Sequence, residues 1–438
     1  MLYNNITNYD FFNRIIFKNL NNNSKINYMC MNKKLVNLYR TNIIESLTLK
    51  KSNYLYSNDD VMNNSIKGIN VKLLKNLKRL CVKEITSTLV NQLVHLKNLE
   101  SLTVKKGWTN SYTLMISNLK KLKTLNLSYE HDDNVEEFER DYYYENDNYY
   151  IDMMFFNKFK NLENLYLNYH HKEQWNVRIK NFHMFHNVNK LKNLYLSYIR
   201  LDTKFDSCID MLSSVTNLHI LDIEEFEELF ETTTFSNIKT LNIDTHNINV
   251  NSYISNIINL KSLKISNTNN IFLQLLNFVN LEKLELYLVN NDNLLHLSRF
   301  INLKHLSIRN NIEDLLNLST LVNLKHLELQ NNRIEDISPL SNLTNLKYLN
   351  LQNNIITDVL PLSNLVNLEH LKLSNNRIDD ISCLTTLVNL KYLDLYGTRL
   401  NNLLPLLSFV NLNYLDIRAN NITDMSILDN FSNLKIYV

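Results

Sequence analysis

The sequence is nearly empty of the small residues on which many functional loops depend. Among 438 residues there are three Gly, three Pro and a single Ala, Ala419. Phosphate-cradling loops and nucleophile elbows need closely spaced glycines, for tight turns and close backbone approach. Gly68, Gly107 and Gly397 each stand alone, which excludes a P-loop, a dinucleotide fingerprint and a G-x-S-x-G site. Cysteine is scarce too. Cys30, Cys81, Cys208 and Cys383 form no CxxC pair and read as reduced thiols rather than a disulfide frame or zinc site. No run of about 18 apolar residues occurs, so no membrane span is expected. The start, MLYNNITNYDFFNR, lacks a charged segment followed by an apolar one, so no secretory leader is expected. Cytoplasmic residence, or nuclear, is the expectation.

What fills the space is asparagine, 76 residues of it. Gly, Pro and Ala share GC-rich codons and Asn, Lys, Ile and Tyr share AT-rich ones, so the excess reads first as AT-rich coding rather than as an aggregation-prone tract. With 45% hydrophobic residues the chain is not disordered by composition.

Internal self-similarity decides the architecture. From Leu324 the chain reads LKHLELQNNRIEDISPLSNLTN, with apolar residues at Leu324, Leu327, Leu329, Ile334, Ile337, Leu340 and Leu343 around Asn332. Adding 22 returns the pattern at Leu346, Leu349, Leu351, Asn354, Ile356, Val359, Leu362 and Leu365, and again from Leu368, Leu390 and Leu412. Leu327 and Leu329 alternate with polar neighbours, the period of a half-buried strand. Ile337, Leu340 and Leu343 recur every third residue, as 3₁₀ turns do. Asn332 sits where the chain leaves the strand, and its amide can satisfy backbone groups that the bend would orphan. Seven buried side chains give roughly 10–20 kcal/mol, against roughly 30 kcal/mol to order 22 residues. One coil is therefore unstable alone, and only a stack of them folds.

Backwards along the chain, looser starts fall at Leu303, Leu281, Leu260, Ile238, Leu218, Leu191, Leu162, Leu122, Leu99, Leu77 and Ile44, for about sixteen coils. The wide intervals predict loops inserted on the convex side or rim, the longest over about Glu130 to Asn157. Three segments follow: 1–43 outside the repeat, 44–237 irregular, and 238–438 regular.

The motif L-x-x-L-x-L-x-x-N-x-L is that of leucine-rich repeats. The regular part resembles the 22-residue class of bacterial internalins and of the intracellular regulator of protein phosphatase-1. The resemblance implies an α/β solenoid, a horseshoe with a parallel concave sheet, a convex side of 3₁₀ and short helical turns, and a concave face that binds protein. Phosphatase regulation is a further role that the family implies.

Residues two, four and six after each first Leu should face the concave side. The first column runs His305, His326, Tyr348, His370, Tyr392, Tyr414, an amphipathic stripe of the kind favoured at interfaces. The others add Arg309, Glu328, Lys372, Asp394, Tyr396, Asp416 and Arg418. The bland alternative is ancestry copied along a solvated sheet. Residues 1–125 are strongly basic and 126–438 acidic. Lys50, Arg79, Lys83 and Lys105 fall on concave positions and could steer an acidic partner, but no nucleic-acid motif accompanies them, so nucleic acid is not an expected partner. Glu130–Asp147 reads as an exposed acidic loop and Asp222–Glu231 as an acidic helical turn. His170, His171, His183 and His186 cluster without a Cys to complete a zinc set. No metal, no cofactor, no catalytic residue and no enzymatic activity is expected.

Residues 1–43 carry Phe12, Ile15, Ile16 and Leu20 at helical spacing after Asn8, a candidate cap. With CMNKKLVNLYRTNIIESLTL they resemble an F-box, which docks a substrate receptor onto a cullin-type ubiquitin ligase, so an adaptor of that ligase is one implied partner. The usual Leu-Pro opening is absent; Tyr9-Asp10 stands near its place. The alternative is a small helical N-terminal cap shielding the first strand's edge. At the other end, Leu434–Val438 begins a strand with Tyr437 at an inward Leu position, and weak self-association through this end is expected.

Overall fold

In the computed structural model the described residues are 46–49, 77–82, 85–105, 108–129, 150–169, 177–182, 184, 188–201, 212–224, 235, 237–244, 257, 259–266, 278, 280–287, 291–309, 312–432 and 434–438. They fall into two compact units, one taking in residues to Val215 with Ile223–Glu225 and the other Thr216–Asp222 with Phe226–Val438. Residues 1–43, and with them Phe12, Ile15, Ile16 and Leu20, lie outside the described residues, as do Lys50, Lys83, the acidic stretch before Tyr150 and the four clustered histidines.

The first unit contains β1 (Ser46–Leu49), β2 (Arg79–Val82), α1 (Ser87–Leu93), β3 (Ser101–Val104), α2 (Asn110–Ile116), β4 (Thr124–Tyr129), β5 (Tyr150–Asp152), β6 (Asn164–Tyr169), β7 (Arg178–Lys180) and β8 (Asn193–Leu201). Strands β1, β2, β3, β4, β6 and β8 form one parallel ladder, Leu to Leu: Leu102 opposes Leu125, Leu125 opposes Leu165 and Leu165 opposes Leu194. Thr86 caps α1 by accepting from the Leu89 amide. A second parallel ladder, β5–β7–β8, joins Ile151 to Ile179 and Ile179 to Leu201, and all three side chains are buried. The long interval expected as a loop to Asn157 is thus partly built into the solenoid. Strand β5 and the 3₁₀ turn Met153–Lys158 sink Met153 and Phe156 into the core, because this coil has aromatic and Met side chains where the regular ones have Leu.

The second unit runs β9 (Asn217–Glu224), β10 (Thr240–Asp244), β11 (Ser262–Ser266), β12 (Lys283–Tyr287), β13 (His305–Arg309), β14 (His326–Glu328), β15 (Tyr348–Asn350), β16 (His370–Lys372), β17 (Tyr392–Asp394), β18 (Tyr414–Asp416) and β19 (Lys435–Tyr437), each parallel to the next. Returning turns from Ser338 to Asn430 are 3₁₀, as the three-residue apolar spacing predicts. Each begins at a carboxylate or amide two residues ahead: Asp336, Asp358, Asp380, Asn402 and Asp424 accept from the backbone amides of Ser338, Leu360, Ser382, Leu404 and Ser426 at 2.8–3.0 Å. The seven apolar side chains of the coil from Leu346 are at most 1% exposed.

Three asparagine columns hold these coils together. Asn354 Nδ2 donates to the Leu329 and Leu351 carbonyls, both at 2.9 Å, while its Oδ1 accepts from Ile334 N at 3.0 Å. Asn332, Asn376 and Asn420 do the same one coil away or more, and Thr398 fills the slot in the coil between. The preceding residues, Asn331, Asn353 and Asn375, take positive φ of 55–60° and chain their amides at 2.7 Å. Asn323, Asn345, Asn367, Asn389 and Asn411 each donate to a carbonyl of the coil before. The recurring amide at one place per coil is therefore joined by two more that the codon-bias reading left to chance.

Several registers differ from expectation. Leu218 opposes Leu241, so that coil starts at Val215, a Val in the first Leu slot. Asp222–Glu224 belong to β9 rather than to a helical turn. At the C-terminal end Ile436, not Tyr437, opposes Leu415 and points inward, while Tyr437 opposes Asp416. The last step is 21 residues, and a one-residue slip moves every strand side chain to the other face.

Candidate functional site

Strand side chains alternate between faces, so burying Leu306, Leu327, Leu349, Leu371, Leu393 and Leu415 leaves their neighbours on the open sheet face. Register pairs His305 with His326, then Tyr348, His370, Tyr392 and Tyr414. The six residues expected as a stripe are brought together. Their ring centroids step by 5.1, 4.0, 6.0, 5.9 and 4.1 Å. Two contacts are nearly parallel stacks, His326–Tyr348 at 6° and Tyr392–Tyr414 at 5°. Tyr437 extends the row, 5.3 Å from Tyr414. Because neighbours cover their faces, the rings offer a partner their edges, with hydroxyl and imidazole tips.

The second and third columns form polar clusters beside the row. Glu328 receives His326 Nε2 at 3.1 Å, Arg309 at 3.2 Å, and Ser307 Oγ and Gln330 Nε2 at 3.3 Å. Burial works to raise its pKa, but the hydrogen bonds from His326, Gln330 and Arg309 prevail and hold the carboxyl at about 2. Asp394 and Asp416 are 7% and 4% exposed, and each needs a partner at that burial. Gln352 Nε2 reaches Asp394 at 2.7 Å across an intervening strand, touching Ser374 Oγ at 2.6 Å on the way. Arg418 grips Asp416 through Nε at 3.0 Å and an Nη at 2.6 Å and lies over the Tyr396 and Tyr437 rings at 5.6 and 5.1 Å. Lys372 lies over Tyr348 and Tyr392 at 5.7 and 5.5 Å.

Burial lowers the pKa of His305 and of His370, with neighbouring charge adding to the effect for His305 through His326 and Lys283. Tyr392 is pushed up by burial and by its hydrogen bond with Tyr414. Burial thus works against charge on the His305 and His370 rings, while ion pairs place fixed charges at the side of the row.

Nearer the start of the second unit, His219 on β9 holds Asn242 at 2.7 Å, and burial with Lys264 nearby depresses its pKa to about 4. Tyr287 sits between Lys264 and Arg309, at 5.1 and 5.2 Å. In the first unit Tyr166 and Tyr195 stack at 4.2 Å, while Arg79 and Lys105 lie on β2 and directly after β3. Tyr166 and Tyr195 were open to discovery, marked by the offset of four from Leu162 and Leu191, whereas His219 was hidden because Val215 stands in the first Leu slot of its coil. Tyr437 was hidden by the 21-residue step. Among the described residues no group of three His, Cys, Asp or Glu is placed to hold a metal ion, and no helix is long and apolar enough to cross a membrane.

The family model for leucine rich repeats (two copies) matches residues 301–342, 322–364 and 366–408. Among solved structures the chain is similar to the internalin inlF of Listeria monocytogenes, at 22% identity and a TM-score of 0.55, covering 80% of this chain and 88% of that one. It is similar also to a Leptospira interrogans protein of the same repeat type, at 18% identity and a TM-score of 0.53, covering 92% and 98%. A comparison with curated proteins found no match. At these identities the structural likenesses speak for the fold.

Proposed function

The chain is a leucine-rich repeat protein, and on that premise we propose that it is a non-enzymatic scaffold that captures a protein partner on the open, concave sheet face of residues 303–437. The observation that carries this reading is the unbroken row from His305 to Tyr437. Tyr and His give large contact area with a polar edge, and a row already ordered by stacking loses little side-chain freedom when a partner lands. Charges beside the row are mostly neutralised internally, as in Arg309–Glu328 and Arg418–Asp416. Such a surface favours a partner of mixed polarity over a polyanion, in keeping with the absence of a nucleic-acid motif.

The test is affinity purification with the full chain and with a variant in which Tyr348, His370, Tyr392 and Tyr414 are all Ala. All four are only half-buried, so the variant should fold and lose its partners. An unchanged set of captured proteins contradicts the proposal. Ligase docking through 1–43 and phosphatase regulation gain no observation from the described residues.

A further inference from the structure

Some cations of the sheet face are held by a carboxylate and others, Lys264, Lys372 and Lys435, have none among the described residues. Lys283 pairs with Glu285 at 2.6 Å, Arg309 with Glu328 at 3.2 Å and Arg418 with Asp416 at 2.6 Å. Lys372, in the middle of the row, has no carboxylate partner among the described residues, although Asp394 is its register partner on the next strand. The two charges turn away from each other. Asp394 is committed to the third column, with Oδ2 on Gln352 and Oδ1 on the Tyr396 amide at 3.1 Å. Lys372 leans over the first column, between the Tyr348 and Tyr392 rings. The aromatic row is also most open there. The gaps on either side of His370, 6.0 and 5.9 Å, are the widest of the row, and both contacts are tilted.

An ammonium resting on two π faces is attracted to them without being neutralised by them. It is thus pre-positioned yet retains its full charge for an incoming anion. His370, two residues back on the same strand, lies in the row between Tyr348 and Tyr392, and an imidazole N–H can donate one hydrogen bond. A carboxylate is a planar acceptor of the right size to bridge one ammonium and one imidazole, and charge-assisted bonds of this kind are about twice as strong as neutral ones.

We propose that Lys372, framed by Tyr348, His370 and Tyr392, is the receptor for a single Asp or Glu carboxylate of an extended polypeptide partner crossing β15 to β17. The assignment rests on the partner-binding reading above and names the chemistry that its central contact recognises.

The probes are two labelled peptides of Gly and Ser, one with a single central Glu and one with Gln in its place, titrated with the full chain and read by fluorescence anisotropy at low salt. The Glu peptide should bind about tenfold tighter. Lys372→Met, which keeps the stem over the rings, should erase that preference, while Lys435→Met at the far end of the row should retain it. A preference that survives Lys372→Met, equal binding of the two peptides, or binding of neither overturns the assignment. So does tighter binding of a phosphoserine peptide of equal net charge. The broader reading fails separately, through unchanged partners in the quadruple aromatic variant. Equal peptide binding combined with lost partners in that variant removes only the carboxylate.

Discussion

His326 and Tyr348, on neighbouring strands, stack with ring centroids 4.0 Å apart and planes 6° from parallel. Inter-strand spacing is about 4.8 Å, so the rings close slightly towards each other above a backbone that holds their Cα atoms wider. Packing between aromatic neighbours, repeated along the row, makes the binding face part of the fold's own stabilisation. Replacing His326 with Ala should cost about 1 kcal/mol, seen as a lower urea midpoint, whereas His326→Tyr should hold or raise it.

The buried asparagine column carries more. Asn354 serves two carbonyls and one amide belonging to two coils and is 6% exposed. Asn354→Ala strands these groups in a dry interior, at about 3 kcal/mol. Asn342, exposed on a returning turn, should cost less than about 0.5 kcal/mol when changed to Ala. Paired denaturation curves check the contrast; equal losses would refute the structural role of the column.

The corner after each strand predicts opposite signs for two small residues. Ala419 takes φ 57° where other coils have Asn331, Asn353 and Asn375, and the left-handed region costs a residue with a Cβ about 1–2 kcal/mol. Ala419→Asn should stabilise, by roughly 0.5 kcal/mol or more, since Asn tolerates this region. Gly397, at φ 60°, should not accept Ala, because the added Cβ would lie 2.7 Å from Asn375 Oδ1. Thermal melting of the two variants should move in opposite directions.

Acid should weaken the fold in two stages. His219 ordinarily titrates at 6.5 and is depressed to about 4 by burial and Lys264. Between those values the unfolded chain binds more protons than the folded one, so stability falls as pH drops below 6.5 and levels off near 4. His305 and His370 add in the same direction. Glu328 is depressed to about 2 despite burial, through His326, Gln330 and Arg309, and Glu282 and Glu369 are brought to about 2 by hydrogen bonds from flanking lysines. Their contribution is present above 4.5 and is lost as pH falls through 2. Urea midpoints at pH 7.5 and 5 should differ, and His219→Gln should shrink the difference. A pH-independent midpoint over that range would count against the buried neutral imidazole.

The parallel sheet, the 3₁₀ returns and the aromatic row were legible in the sequence because each depends on one period. Leu327, Ile337 and Tyr348 announce themselves by recurrence at 21 or 22 residues. What was missed broke that period or resembled composition. Val215 stands in a Leu slot, and the final step of 21 sent Tyr437 to the wrong face. Asn331 and Asn345 looked like background in a chain so rich in Asn. The second ladder of β5, β7 and β8 came from Ile151 and Ile179, which lie in stretches too irregular to align. The Lys372–Asp394 divergence is a matter of side-chain direction, which no spacing rule contains.

The central claim, that the aromatic sheet face meets the partner, is tested most directly by placing one photo-crosslinking amino acid at Tyr348 and, in a second protein, at Leu360, which is 58% exposed on a returning turn. The account predicts a defined covalent adduct with a partner protein from position 348 and none from 360. Adducts from 360 alone, or the same adducts from both positions, would contradict it.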